Sequence, residues 1–279
     1  MSSAVLTDTV LNARAHPEVG RITLTGLGVR YGEGRSRRTA AVQEVNLDIL
    51  PGQFIALVGP SGCGKTTVLN AIAGFVKPTE GTVEIDGERV RGPSAQAGVV
   101  FQQHSLFPWM TALDNVAFGP RELGLPNARE IARRHLGLVG LGDFADFYPA
   151  TLSGGMRQRV GLARALATEP PVLLMDEPFG ALDALTRELM QELLLGLWEK
   201  KPHTVVFITH DVEEAVFLAD RVVVMAAQPG RVREIIAVDL PRPRSAATRN
   251  DPRLAKLRHD IGTLIREESR RHFNGGADA

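Results

Sequence analysis

Five consecutive apolar residues, Phe54-Ile55-Ala56-Leu57-Val58, run straight into Gly59-Pro60-Ser61-Gly62-Cys63-Gly64-Lys65-Thr66. An unbroken apolar run of this kind reads as a strand buried on both faces, the condition of a parallel sheet. The eight residues after it match G-x-x-x-x-G-K-[ST], and Thr67 to Ala73 reads as the helix this motif requires next, ending at Gly74. Gly59, Gly62 and Gly64 permit a tight turn in which several backbone N–H groups face one anion. The helix start adds the positive end of its dipole. Lys65 offers a point charge to β- and γ-phosphates, and Thr66 a hydroxyl to Mg2+. Cys63 reads as a small side chain filling the loop rather than as a reactive thiol. As the one cysteine of the chain it also excludes an internal disulfide framework and a cysteine zinc site.

A second apolar run, Val172-Leu173-Leu174-Met175, delivers Asp176 and Glu177 to its C-terminal end. Ligands of parallel sheets bind at that end. Two adjacent carboxylates can divide the work there, Asp176 holding Mg2+ and Glu177 polarising the attacking water as general base. His210 follows a third run, Val205-Val206-Phe207-Ile208, and Thr209. If that strand neighbours the 172–175 strand, His210 comes near Glu177 and the γ-phosphate. Leu152-Ser153-Gly154-Gly155 opens another helix, to about Ala167. It is either an ordinary helix capped by Ser153 or a second phosphate-facing helix start. One nucleotide loop with two such starts raises the prospect that the second serves another subunit's nucleotide.

Around these motifs strands and helices alternate, which argues for an α/β fold on a parallel core sheet. Ile22-Thr23-Leu24, Val29-Arg30-Tyr31 and Val45-Asn46-Leu47-Asp48-Ile49 read as an added antiparallel layer, with a hairpin tip over 32–38. Residues 105–167 carry helical periodicity broken by Pro108, Pro120, Pro126 and Pro149. Asp251 and Pro252 start a last helix whose Leu254, Leu257, Ile261, Leu264 and Ile265 form one stripe, either packed back on the domain or offered to a partner. Basic and acidic residues balance at 32 each, without the basic excess of a nucleic-acid binder. No apolar run approaches the ~18 residues of a membrane span, and Met1 to Gly20 lacks a signal-peptide core.

The order of these elements resembles the ATP-binding subunit of ABC transporters: the loop at 59–66, Gln102 after Val99-Val100-Phe101, LSGGMRQRV at 152–160, LLMDEP at 173–178, Ala181-Leu182-Asp183, then His210. The resemblance covers about residues 21–240. It implies a P-loop, RecA-like parallel core sheet with an antiparallel β layer and a helical subdomain at about 104–167, after a tail of residues 1–20 and before a linker and amphipathic helix over 241–279. It implies that ATP and Mg2+ are held by Gly59, Pro60, Ser61, Gly62, Cys63, Gly64, Lys65, Thr66 and Thr67. Tyr31 would stack on adenine, and Gln102 would contact Mg2+ and the attacking water. His210 would contact the γ-phosphate. Ser153, Gly154 and Gly155 would cap the ATP of the opposite subunit in a head-to-tail dimer, with Asp183 at the seam. Met156 stands where many members have Gln, at a position that points outward in the family pattern.

Phe217-Leu218-Ala219-Asp220-Arg221-Val222-Val223-Val224-Met225 and Asp114-Asn115-Val116-Ala117-Phe118-Gly119 look like the ATPases of nitrate, sulfonate and taurine importers, taurine nearest. The implied setting is the cytoplasmic face of the bacterial inner membrane, beneath integral permease subunits and, indirectly, a periplasmic substrate-binding protein. The cluster Leu106-Phe107-Pro108-Trp109 admits two readings, a docking groove for the permease lined by Trp109 or ordinary core of the helical subdomain. A soluble ABC ATPase acting on nucleic acid is the rival. The interval from Thr66 to Ser153 carries no coiled-coil heptads, and the chain has one cassette, both of which disfavour it.

Overall fold

The computed structural model describes residues 18–32, 39–102 and 105–275. Most of the expected N-terminal tail, the hairpin tip at 33–38 and His104 at the subdomain boundary lie outside the described residues. Gly20, placed at the end of that tail, is already anchored: its N–H and that of Arg21 both donate to the Asp86 carboxylate at 2.8 Å.

Among the described residues two sheets carry the fold. The first is antiparallel, with β1 (Ile22–Tyr31) between β2 (Thr39–Ile49) and β4 (Glu80–Ile85), and β5 (Glu88–Arg89) at its edge. The two short segments expected at 22–24 and 29–31 are one strand, because Gly26, at φ +57°, absorbs a register shift without ending the pairing. The second sheet has the order β10-β9-β3-β8-β7-β6. In it β3 (Phe54–Val58), β6 (Ala97–Val100), β7 (Val172–Asp176), β8 (Thr204–Ile208) and β9 (Arg221–Ala226) run parallel. Only β10 (Arg231–Ala237) is antiparallel, as a hairpin partner of β9. All five residues of β3 and of β8 are buried, as two covered faces demand.

Three apolar clusters fill the layers. One joins the antiparallel sheet and α1 (Lys65–Ile72) to one face of the parallel sheet. A second packs α5 (Ala184–Lys200), α6 (Val212–Leu218) and α7 (Pro252–Gly275) on the other face. The stripe on α7 is part of it, with Leu254 and Ile261 buried and Leu257, Leu264 and Ile265 half-buried, so this helix packs back on the domain. The third cluster is the helical subdomain: α2 (Ala112–Glu122), α3 (Ala128–Leu138) and one side of α4 (Gly154–Leu166). Pro120, expected to break the chain, lies buried inside α2, which is capped at its start by Thr111. α4 contributes Val160 and Ala163 to the subdomain and Leu162 and Leu166 to the sheet core, so it is packed from both sides.

Candidate active site

The C-terminal edge of the parallel sheet gathers the chemistry. β3 leads into the glycine loop, and three neighbouring strands, β6, β7 and β8, end at Gln102, Glu177 and His210. Gln102 Nε2 donates to Glu177 Oε2 at 3.3 Å, and His210 Nδ1 lies 3.3 Å from the same oxygen. Glu177 is held there by its backbone N–H, which donates to the Ile208 carbonyl at 3.0 Å across the β7–β8 pair. The expectation that the strand before His210 neighbours the 172–175 strand is therefore met.

Two of the loop's glycines, Gly59 and Gly64, are required by space as well as torsion. A Cβ on Gly64, at φ +87°, would lie 2.3 Å from Val42 Cγ1, and one on Gly59, at φ +155°, 2.7 Å from the Met225 carbonyl. Lys65 Nζ donates to the carbonyls of Gly59 and Pro60 at 3.0 and 3.1 Å, so its charge stands over the cradle. Cys63 is buried, and burial pushes its thiol up against the pull of Lys65, as befits a packing residue rather than a nucleophile.

Asp176 is raised above the ordinary carboxylate range, first by burial and then by the neighbouring charge of Glu177. The Thr66 hydroxyl and the Lys65 charge pull the other way. A half-buried carboxylate beside a second one, bonded to a hydroxyl, is a hard-oxygen pair that a divalent cation would relieve. Among the described residues no group of three or more His, Cys, Asp or Glu could hold a metal. Any cation here would complete its coordination with phosphate and water oxygens, which is how Mg2+ is usually bound.

Ser153, Gly154, Gly155 and Asp183 are not beside this edge. They line a separate cavity of about 550 Å³ with Met156 and Thr186. Ser153 caps α4, its Oγ accepting from the Met156 N–H at 3.3 Å, and Asp183 caps α5, accepting from the Thr186 N–H at 3.0 Å. That N–H holds the Asp183 carboxyl below its ordinary range. Met156 faces this cavity and is half-buried, its inner side packed against the subdomain core. Tyr31 stands exposed at the end of β1, whose partner β2 presses Ala41 and Val42 on the loop. Trp109 is 69% exposed, its ring tilted against that of Phe107 with centroids 5.6 Å apart, so it is not core.

Sequence reasoning missed Arg157, which donates to the Leu152 carbonyl at 2.5 Å and fixes the entry to α4. It also missed Glu214. The Asp211-x-x-Glu214 spacing is a capping-box signal, yet only Asp211 caps α6, and Glu214 turns inward to accept from the Thr209 hydroxyl.

Comparison with known proteins agrees with this geometry. The family model described as ABC transporter matches residues 42–180. An uncharacterized ABC transporter ATP-binding protein of Methanocaldococcus jannaschii is 50% identical over 238 residues, covering 85% of this chain and 88% of that protein. The taurine import ATP-binding protein TauB of Pseudomonas aeruginosa is 48% identical over 250 residues, covering 87% of this chain and 95% of that protein. A solved ATP-binding cassette, dimeric in a post-hydrolysis state with ADP and Pi, superposes with a TM-score of 0.69 at 35% identity, covering 78% of this chain and 98% of that one. With its nucleotide loop, its paired carboxylates and its capped glycine helix arranged in this way, the chain belongs to the ABC transporter family as an ATP-binding subunit that hydrolyses ATP to drive transport.

Proposed function

We propose that this chain energises a bacterial importer for taurine or a related sulfonate. The observation that carries the catalytic part is the convergence of Gln102 and His210 on one oxygen of Glu177, at the sheet edge that also presents Lys65, Thr66 and Asp176. Glu177 accepts a proton from the attacking water, Gln102 orients that water, and His210 contacts the γ-phosphate. The loop N–H groups and Lys65 stabilise charge on the phosphates as the terminal P–O bond breaks. Thr66 and Asp176, with Gln102, would hold Mg2+, which neutralises phosphate charge when bound. Tyr31 stacks on the adenine.

Two copies act head to tail, Ser153, Gly154, Gly155 and Asp183 of each closing on the ATP held by the other. The separation of this cluster from the loop within one chain supports that reading, as does the dimeric state of the solved relative. The exposed Trp109 with half-buried Phe107, and the exposed, stacked pair Phe75 and Phe101 at 6.0 Å, the latter next to Gln102 in the chain, form the groove for a permease helix. No helix among the described residues is long and apolar enough to cross a membrane, so the chain would sit peripherally, at the cytoplasmic face of the inner membrane. A periplasmic binding protein would deliver the cargo, and nucleic acid has no part.

The cargo rests on the similarity to TauB, a taurine import ATP-binding protein. Labelled taurine uptake in a strain lacking this chain, restored by the chain and not by Glu177→Gln, is the expected result. Undiminished taurine uptake with lost nitrate uptake would move the cargo to another small anion.

A further inference from the structure

The segment after β10 is bound tightly to the helix that follows His210. Arg244 Nη1 donates to the carbonyls of Val216, Phe217 and Ala219 at 3.1, 2.9 and 2.8 Å, closing the end of α6. The Arg249 guanidinium lies over the Phe217 ring, 3.9 Å from its centroid. From Arg249 a hydrogen-bonded line runs inward. Its Nη2 donates to Gln191 Oε1 at 2.5 Å, Gln191 Nε2 donates to Glu214 Oε1 at 2.8 Å, and the Thr209 hydroxyl donates to Glu214 Oε2. Gln191, Glu214 and Thr209 are 3%, 5% and 2% exposed.

Polarity runs in one direction along this line. Arg249 can only donate, so it fixes the Gln191 amide with oxygen outward and nitrogen inward. A flipped amide would set its oxygen against the buried Glu214 carboxylate, which is costly away from water. Thr209 Oγ1, held by Glu214, also accepts from the Asp211 N–H at 3.0 Å. The hydroxyl, on the residue before His210, thus ties Glu214 to the backbone of the residue after it. A cavity of about 10 Å³ lined by Glu177, His210, Thr209 and Glu214 separates the line from the reacting carboxylate.

We propose that Arg249, Gln191 and Glu214 are positioning residues for His210, so that the C-terminal segment sets the hydrolysis rate through the loop that aims His210 at Glu177. The proposal rests on the ATPase reading above. It is tested with the purified full-length chain by ATPase kinetics and thermal melting of Gln191→Met, Arg249→Ala, Arg249→Lys, the double variant Gln191→Met/Arg249→Ala and Arg258→Ala. Arg258 belongs to the same segment but makes an exposed ion pair with Glu213 at 2.7 Å.

Gln191→Met and Arg249→Ala should each lower kcat about fivefold with KM for ATP unchanged. The double variant should be no slower than the slower single, because both cut one line. Arg249→Lys should recover most of the rate and Arg258→Ala should keep the wild-type value. Wild-type kcat in both single variants, losses that multiply in the double, or an equal loss in Arg258→Ala would overturn the proposal. If Gln191→Met melts early, the Arg249 pair decides: loss in the alanine variant with recovery in the lysine variant upholds the line, and equal rates in the two sink it. A wild-type chain without ATPase activity would instead overturn the functional reading on which the line depends.

Discussion

His210 Nδ1 stands 3.3 Å from Oε2 of Glu177, joining the ends of two neighbouring parallel strands through their side chains. Glu177 reaches this position with φ at +43°, a left-handed conformation that costs a non-glycine residue about 1–3 kcal/mol. Its N–H bond to Ile208 and the convergence of Gln102 keep it there. Glu177→Gln preserves the shape and removes the base. Hydrolysis should fall at least ~100-fold, while ATP binding persists and an ATP-bound dimer accumulates on size-exclusion chromatography. Near wild-type turnover would remove Glu177 from the base role.

Lys65→Ala takes away the charge that stands over Gly59 and Pro60. Nucleotide affinity, read by fluorescent ATP-analogue titration, should drop by about tenfold or more, and ATPase activity should fall to background. Retained affinity would mean that the 59–66 loop does not hold the phosphates.

Asp176 has a raised folded-state pKa, so its ionisation opposes folding as pH rises from the unfolded carboxylate range through the folded value. Asp176→Asn keeps an acceptor for Thr66 and removes that burden. Its melting temperature should exceed wild type at neutral pH, and the gap should close below about pH 3, under the unfolded Asp value of about 3.9, where the wild-type group is protonated in both states. A gap that stays constant with pH would contradict the assignment of the shift to burial. ATPase activity should be lost throughout.

Trp109, exposed and with its ring tilted against Phe107, should leave the melting of the isolated chain within about 0.5 kcal/mol of wild type when truncated to alanine. A buried tryptophan would cost about 3–5 kcal/mol. Assembly with the permease should weaken, and uptake should uncouple from hydrolysis. Intact assembly and uptake would remove Trp109 from the groove.

The buried strands and the helix starts were legible because each carries a local cause: five apolar residues for β3, Asp251 before Pro252 for α7, Ser153 before two glycines for α4. The pairing of β7 with β8 was open in the sequence as that of two short buried strands with a helix between them, and the structure has it, which brings His210 to Glu177. What escaped depends on partners far along the chain. Pro120 fits inside α2, because its lost N–H falls in a helix that the subdomain core packs around. Glu214 carried a cap signal but found Thr209 and Gln191, and nothing near residue 214 announces Gln191, which lies on another helix. Exposure decided Trp109, and apolar sequence alone does not distinguish an exposed cluster from a core one.

Three distant stretches cross at the glycine loop. Gly230 donates to the Ala41 carbonyl at 3.0 Å, Gln43 donates to the Gly230 carbonyl at 2.8 Å, and a Cβ on Gly230 would lie 2.2 Å from the Cys63 carbonyl and 2.7 Å from that of Ala41. No methyl group fits at this crossing, and none of its contacts depends on a side chain that could be exchanged for a longer or shorter one. Any substitution at the crossing must therefore displace backbone, whereas the exposed rim can change without doing so. An engineer could exchange the exposed Trp109 without unfolding the chain, and could change almost nothing within a few ångströms of Gly230.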